Sequence, residues 1–381
     1  MRDPPGRDTR MWRWSYGPGI MLSAMYDWDD VVPGVGNFSS FASSVLDYYV
    51  NEQGSIGYNL QHGIRMPFDR APGDKIGLFP EAYLRRAMRP DGGGLAGSDG
   101  KLSLAALNDY VLPFPYQLKD GTLARTVGWK GEPSGDLTLW GDDQFMGLTL
   151  AARAARAGAA NRSAYLGFVV AQSLSFAARM ADRGSAFPAP AGTGDGLFFH
   201  GVDATTGQPS CCKWGRANGW GMMSHAEVMA AVDDVAPSHP NRSDVLRVFT
   251  DHALAMARFQ APSGMWRQLV NDSTQWEETS VTAMTTYAIA TGVRRGWLDS
   301  GTFLPVVRRA WPALAATVQA NGTVTGICSG TGIGMTTGFY RDRPTSFMAS
   351  QPGLGAVWRA ARAVFLLNQG GHGGSAAGAA T

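Results

Sequence analysis

The chemistry of this chain is concentrated in Trp214-Gly215-Arg216-Ala217-Asn218-Gly219-Trp220, which places two indoles, a guanidinium and a carboxamide within one short stretch. Indole faces stack on sugar rings or line apolar walls. A guanidinium fork grips a carboxylate through two parallel hydrogen bonds. Together these groups suit a pocket for an acidic sugar. A Trp-rich core loop around a structural Arg–carboxylate pair would use the same residues, and the density of the cluster favours the pocket.

A second set lies upstream, in Trp140-Gly141-Asp142-Asp143-Gln144-Phe145-Met146. Carboxylates in a first helical turn are stabilised by the helix N-terminus, which would account for both Asp structurally. The alternative is an acid walled by Trp140, its pKa raised by burial so that it holds a proton near neutrality. Neighbouring helix positions point in different directions, so one Asp is expected to be the acid and the other to support it. His200, in Leu197-Phe198-Phe199-His200-Gly201, lies fourteen residues before Trp214. It is either a satisfied core histidine or a ligand contact. Trp266-Arg267-Gln268 and Glu278-Thr279-Ser280 flank another helix start, which Glu278 can support through the helix dipole. The Gly-rich run Gly326 to Gly334 lacks the Lys-Ser/Thr ending of a phosphate loop and follows no strand. It reads as a tight turn at a pocket rim.

These groups must be positioned by helices. Phe41 to Val50, Gly141 to Ala157, Ala164 to Ala181, Gly219 to Val232, Asp244 to Phe259, Thr279 to Gly296, Thr302 to Ala320 and Gly353 to Leu367 carry apolar residues at three- and four-residue spacing. In Gly141 to Ala157 this leaves Arg153 and Arg156 to face solvent. Many helices are Ala-rich, which permits close approach. Long loops rich in Gly, Pro, Trp and Asp alternate with short connections, and long loops in compact domains usually carry function. This rhythm predicts an all-α toroid of helical hairpins with one elaborated face. Two helical bundles side by side would be the alternative. The expected organisation is an N-terminal extension over 1–11, a barrel over 12–368 and a disordered Gly/Ala-rich tail over 369–381.

With 33 Lys and Arg against 31 Asp and Glu, the net charge is +2. The cations are scattered, so neither nucleic acid nor a membrane surface is expected as a partner. No apolar run approaches the ~20 residues of a membrane span. The three cysteines are too few for a disulfide scaffold and lack metal-site spacing. No metal or cofactor is expected. A polar start without an apolar leader gives no signal peptide. Yet Asn37, Asn161, Asn241, Asn271 and Asn321 are all glycosylation sequons, which points to a secretory protein whose leader is missing from this chain. On that reading, one of Cys211 or Cys212 is expected close to Cys328, joining two rim loops.

Taken in order, these motifs resemble glycoside hydrolase family 105, the unsaturated rhamnogalacturonyl hydrolases, close kin of family 88. The resemblance runs from Trp14-Ser15-Tyr16-Gly17-Pro18-Gly19 to about Leu367. The family's Trp-x-Asp-x-x-x-Met signature is matched by Trp140, Asp142 and Met146. Its Trp-x-Arg-x-Asn-Gly-Trp signature is matched by Trp214, Arg216, Asn218, Gly219 and Trp220. Gly196 to His200, Trp266 to Gln268 and Glu278 to Ser280 match further segments. The resemblance implies an (α/α)6 barrel with Asp142 as general acid/base. It also implies substrate contacts from Trp140, Asp143, Met146, His200, Trp214, Arg216, Asn218 and Trp220. A His-Lys pair of the family stands here as Trp129-Lys130, Ser329 replaces a common Glu, and Asp74 is the best match for a second carboxylate.

The reaction so implied removes the 4,5-unsaturated uronic acid that lyases leave at the non-reducing end of pectin (rhamnogalacturonan) oligosaccharides. Asp142 protonates C4, water adds at C5, and the hemiketal collapses to release the next sugar. The two-carboxylate spacing of ordinary glycosidases is not required. Two rivals share the barrel. An endo-α-1,6-mannanase-like hydrolase would use Asp142-Asp143, but neutral mannan gives Arg216 no carboxylate to hold. A non-catalytic carbohydrate-binding relative would account for the replaced His and Glu. The linked sugar and the oligomeric state are not readable from the sequence.

Overall fold

The computed structural model describes residues 14–50, 78–127, 133–184, 194–346 and 352–370. Asp74, Trp129, Lys130 and residues 1–11 lie outside them. In chain order, α1 (Tyr16–Asp29) precedes α2 (Phe38–Tyr48), and α3 (Leu78–Ala87) precedes α4 (Ser98–Ala106). Strands β1 (Arg125–Val127) and β2 (Pro133–Trp140) then lead into a single turn, α5 (Asp143–Met146), followed by α6 (Thr149–Arg156) and α7 (Arg162–Met180). Next come β3 (Gly201–Asp203), α8 (Gly215–Val235) and α9 (Arg242–Arg258). The chain closes with β4 (Trp266–Arg267), β5 (Glu277–Glu278), α10 (Thr279–Arg294), α11 (Ser300–Ala315), β6 (Ile327–Cys328), α12 (Thr337–Arg341), β7 (Thr345–Ser346) and α13 (Pro352–Gly370).

Packing sorts the long helices into two rings. Helices α1, α3, α6, α8, α10 and α13 each touch the next, and α13 returns to α1, closing the inner ring. Outside it, α2, α4, α7, α9 and α11 each pack on the inner helix that precedes them in the chain. The fold is therefore the (α/α)6 barrel. The inner helices are the more fully buried ones, as an enclosed ring requires: α8 is buried from Gly215 through Val232 and α10 along most of its length. Outer helices such as α9 bury one stripe, Val245, Val248, Phe249, His252, Ala253, Ala255 and Met256, and leave the rest partly or fully exposed.

The expected helices are present with shifted ends, as is usual for boundaries. Three differences have physical causes. The run Gly141 to Ala157 breaks at Gly147, where Leu123 fills the place of a Cβ at 2.6 Å. Helix α13 runs to Gly370, into the segment expected as tail. Arg153 does not face solvent: it turns into the barrel, where Glu81 and Glu227 take its guanidinium. Arg156 remains at the exposed rim, paired with Asp234.

Across the middle of the ring lies an apolar plug. Phe145 stacks on Trp220 with ring centres 5.1 Å apart, and Met146, Met223 and Met284 pack around them, all buried. The plug divides the barrel interior into two ends. The N-termini of the inner helices and the small strands lie at one end, and the C-termini of the inner helices at the other.

Candidate active site

Strand β2 delivers Trp140 and Asp142 to the N-terminal end of the barrel. It pairs antiparallel with β1 and β3, with Trp140 opposite Gly201. Gly141 N–H donates to the His200 carbonyl at 2.9 Å. A Cβ at Gly141 would come within 2.8 Å of the Ala217 methyl, so only glycine lets this turn lie against α8. The register thus sets Asp142 beside His200, the Asp142 Oδ2 to His200 Nε2 distance being 3.5 Å. That is close enough to attract and longer than a hydrogen bond.

His200 is fully buried, and its ring is fixed from behind. Nδ1 lies 2.8 Å from the Tyr340 hydroxyl. That hydroxyl oxygen accepts from Gly334 N–H at 3.0 Å. The hydroxyl's hydrogen has two acceptors in reach, Nδ1 at 2.8 Å and the Gly334 carbonyl at 3.5 Å; given to the nearer Nδ1, it leaves the imidazole hydrogen on Nε2, facing Asp142. Burial lowers the pKa of His200, and Asp142 offsets this only in part, so the ring is neutral near pH 7.

Burial alone would raise the pKa of Asp142, as expected from the sequence. The net shift is downward, because His200, Arg125 and Arg216 favour the carboxylate. Asp142 is therefore ionised in the ligand-free chain, which corrects the expectation of a raised value. Its carboxylate does not cap α5, so it is held by its neighbours rather than by the helix terminus.

Asp143 is fully buried, and Arg125 grips both its oxygens at 2.8 Å. The same guanidinium lies 4.6 Å from the centre of the Trp140 ring. Asp143 thus positions Arg125 and Trp140 and does not present itself to a ligand. Arg125 gave no sign in the sequence beyond the need of a buried Asp143 for a partner. Tyr340, 140 residues from His200, gave none.

Arg216, at the start of α8, is 1% exposed. Its Nε donates to Ser280 Oγ at 2.9 Å, and Nη2 donates to the Cys328 carbonyl and lies 3.5 Å from Glu278. Only Nη1 has no partner. The two-point fork expected for a substrate carboxylate is therefore committed to the protein, and one donor remains. Glu278 caps α10 through Val281 N–H at 2.8 Å, as its position predicted, and also takes Ser280 Oγ and Cys328 N–H.

Other expected contact residues are engaged within the protein. Asn218 clasps the Phe198 backbone in both directions, donating to its carbonyl at 3.0 Å and accepting from its N–H at 2.8 Å. Trp220 and Met146 are fully buried in the plug. Trp214 is 2% exposed, donates to Gln268 and stacks against His200 at 4.5 Å. It walls the site from behind.

The cysteine expectation is corrected. Cys211 and Cys212 are bonded to each other as a vicinal pair, and Cys328 is a buried free thiol. Cys328 does share a small cluster with Cys212, Trp214 and Tyr340, and its sulfur accepts from Gln268. The Gly-rich loop that carries it lies over the site: β6 pairs with β7, and Ile333 packs where a Cβ on Gly201 would stand.

Four of the fourteen buried polar atoms without partners among the described residues fall together here. Asp142 Oδ2, His200 Nε2, Trp140 Nε1 and Arg216 Nη1 all lack one, and these residues are linked by ring and charge contacts. Buried polar groups are almost always satisfied, so a group of orphans, mostly donors, beside one carboxylate marks a place for a polar, electron-rich ligand. A cavity of about 550 Å³ between α7 and α9 contains none of these residues. Among the described residues no cluster of His, Cys, Asp and Glu could hold a metal ion, and no helix is long and apolar enough to cross a membrane.

Comparison with known proteins agrees with this geometry. The family model of glycosyl hydrolase family 88 matches residues 7–362. The chain belongs to glycosyl hydrolase family 88. An unsaturated 3S-rhamnoglycuronyl hydrolase of Formosa agariphila is 31% identical over 132 residues, 34% of each chain. An unsaturated rhamnogalacturonyl hydrolase of Bacillus subtilis is 26% identical over 150 residues, 39% of this chain and 40% of that one. The matched stretches thus span about a third or more of these relatives' length. Among solved structures, one from Salmonella enterica described as a possible member of GH105 family superposes with a TM-score of 0.74 at 19% identity, covering 97% of this chain and 88% of that one. This last likeness speaks to the fold.

Proposed function

We propose that this family 88 chain is an unsaturated uronyl hydrolase that removes the 4,5-unsaturated uronic acid from lyase-generated pectin oligosaccharides by hydrating its double bond. The observation that carries the reading is the set of unpartnered buried atoms around Asp142. An acidic sugar offers oxygen acceptors for the free hydrogens of Trp140, His200 and Arg216. A neutral mannan would leave Arg216 Nη1 without a charge to meet.

The ionised state of Asp142 sets the order of proton transfers. Bound substrate adds a like charge and excludes water, and both raise the carboxylate's pKa. Asp142, protonated in the complex, gives its proton to C4; the C4=C5 electron pair forms the new C–H bond and leaves cationic character shared by C5 and the ring oxygen. The carboxylate so regenerated takes a proton from the water that adds at C5, which restores the acid and gives a hemiketal at C5. Ring opening of that hemiketal frees the C1 oxygen bridge, and the next sugar leaves. His200, with hydrogen on Nε2, holds Asp142 in place and stabilises its charge. One carboxylate thus serves in both directions.

Four of the five sequon asparagines are exposed, Asn37, Asn161, Asn271 and Asn321, which supports the secretory reading. Mass spectrometry of the protein from its native source tests it. The activity is tested by incubation with lyase-generated oligosaccharides, following loss of the ultraviolet absorbance of the conjugated uronate. Asp142→Asn should cost ~10²–10⁴ in kcat with the melting profile retained. Turnover by that variant at the wild-type rate would remove Asp142 from the mechanism. Tight sugar binding without turnover in the wild type would favour a binding protein.

A further inference from the structure

The opposite end of the barrel holds a second polar chamber. It is a cavity of about 340 Å³ below the Phe145–Trp220 plug, roughly ten times a water's ~30 Å³. Its lining comes from the C-terminal halves of the inner helices. Arg85 projects from α3, Arg153 and Arg156 from α6, and Arg294 and Arg295 from α10. Arg359 and Arg362 complete the wall from α13. Only two carboxylates, Asp27 and Glu227, line the same space.

Cations near helix C-termini complement the helix dipole, and that accounts for the rim. It does not account for the floor. Arg359 lies well inside α13, is 1% exposed, and shares Glu81 with Arg153. Its Nε and Nη1 have no hydrogen-bond partner, Nη1 standing 3.6 Å from Glu227. Counting every carboxylate that pairs with these seven arginines adds Glu81, Asp30 and Asp234 to the two in the wall. Seven cations still face five anions. Arg294 has no ion-pair partner among the described residues. Burial and repulsion from Arg295, Arg362 and Arg156 lower its pKa, as expected where positive charge is uncompensated.

We propose that this chamber is a binding site for a small tetrahedral oxyanion, sulfate or phosphate, held by Arg359 at its floor and by Arg294 and Arg362 nearer its mouth. Planar guanidinium groups suit such oxygens. The plug separates this site from Asp142: Phe145 lies three residues beyond Asp142, and the Arg359 guanidinium is 5.9 Å from its ring centre. The proposal is independent of the sugar reading.

Calorimetric titration with inorganic sulfate, at ionic strength held constant with chloride, tests it. One sulfate per chain is expected, displaced by inorganic phosphate. Arg294→Gln alters an exposed residue and should fold normally; combined with Arg362→Gln it should weaken sulfate at least tenfold. Arg247→Gln, exposed on the outer helix α9 and outside the chamber, should leave sulfate affinity unchanged. Absence of saturable binding, an unaltered affinity in the double variant, or an equal loss of binding in Arg247→Gln would each overturn the proposal.

Discussion

Tyr340→Phe isolates the device that fixes His200. The substitution removes one oxygen and keeps the ring in its buried cluster. It deletes the 2.8 Å contact to His200 Nδ1 and the acceptor for Gly334 N–H. Each buried group left unsatisfied costs about 1–3 kcal/mol, so the variant should lose about 2–6 kcal/mol of stability. At roughly 2–4 °C per kcal/mol for domains of 150–250 residues, the melting temperature should fall by at least several degrees. The kinetic effect is separate. Without the hydroxyl, Nδ1 can take the hydrogen, and Nε2 then turns a lone pair toward the Asp142 carboxylate. A tenfold fall in kcat corresponds to about 1.4 kcal/mol and is the expected scale, with KM little altered. Nitrogen-15 spectra of the histidines read the tautomer directly. A wild-type tautomer together with wild-type kcat would refute the assignment of Tyr340 as a positioning residue.

Acid should unfold the protein in two stages. Burial holds the pKa of His225 down at about 3 and that of His252 well below its ordinary value. The unfolded chain takes up these protons first, so stability is full above ~6.5 and is lost as pH falls toward 3. His225 alone contributes up to about 5 kcal/mol of this, at about 1.4 kcal/mol per pH unit. Burial disfavours the Glu227 carboxylate, but Arg153, Arg359 and Arg156 hold its pKa near about 2, adding a loss below ~4.5; urea midpoints unchanged between pH 7 and 5 would contradict the first stage. Arg216→Lys cannot serve Ser280, Cys328 and a ligand together, so it should raise KM and lower the melting temperature; unchanged values of both would make Arg216 dispensable. Asn218→Ala orphans both backbone groups of Phe198 and should cost about 2–6 kcal/mol, which thermal unfolding would measure.

The barrel was legible because its determinants are local. Apolar residues at helical spacing and alternating loop lengths define hairpins, and hairpins of this number close into a ring. Asp142, His200 and Arg216 stood out in the sequence because their neighbours form dense motifs, and the fold brings Asp142 to 3.5 Å from His200. Orientation was not legible: a motif says which residues cluster but not which way they face. Asn218, Trp220 and Asp143 lie in the same motifs as Asp142 and Arg216, yet fold inward as clasp, plug and buried ion pair. Arg153 was assigned to solvent by its place on one helix, whereas its partners Glu81 and Glu227 come from two others. Tyr340 and Arg125 owe their roles to partners brought near only by the closed ring and the small strands.

The seam where α13 meets α1 joins the two ends of the described chain. Arg359 reaches Ser23 and Arg362 reaches the Asp27 carbonyl across 336 and 335 positions of sequence, and Trp28 donates to the Trp358 carbonyl. Synthesis at roughly 5–20 residues per second separates the emergence of these partners by roughly 20–70 s. Throughout that time α1, buried along nearly its whole length in the finished ring, has no final neighbour on one side. The nascent chain must therefore carry a greasy helix through almost the entire period of translation. Ribosome-bound chains ending before residue 352 should recruit holdase chaperones that the released protein does not need.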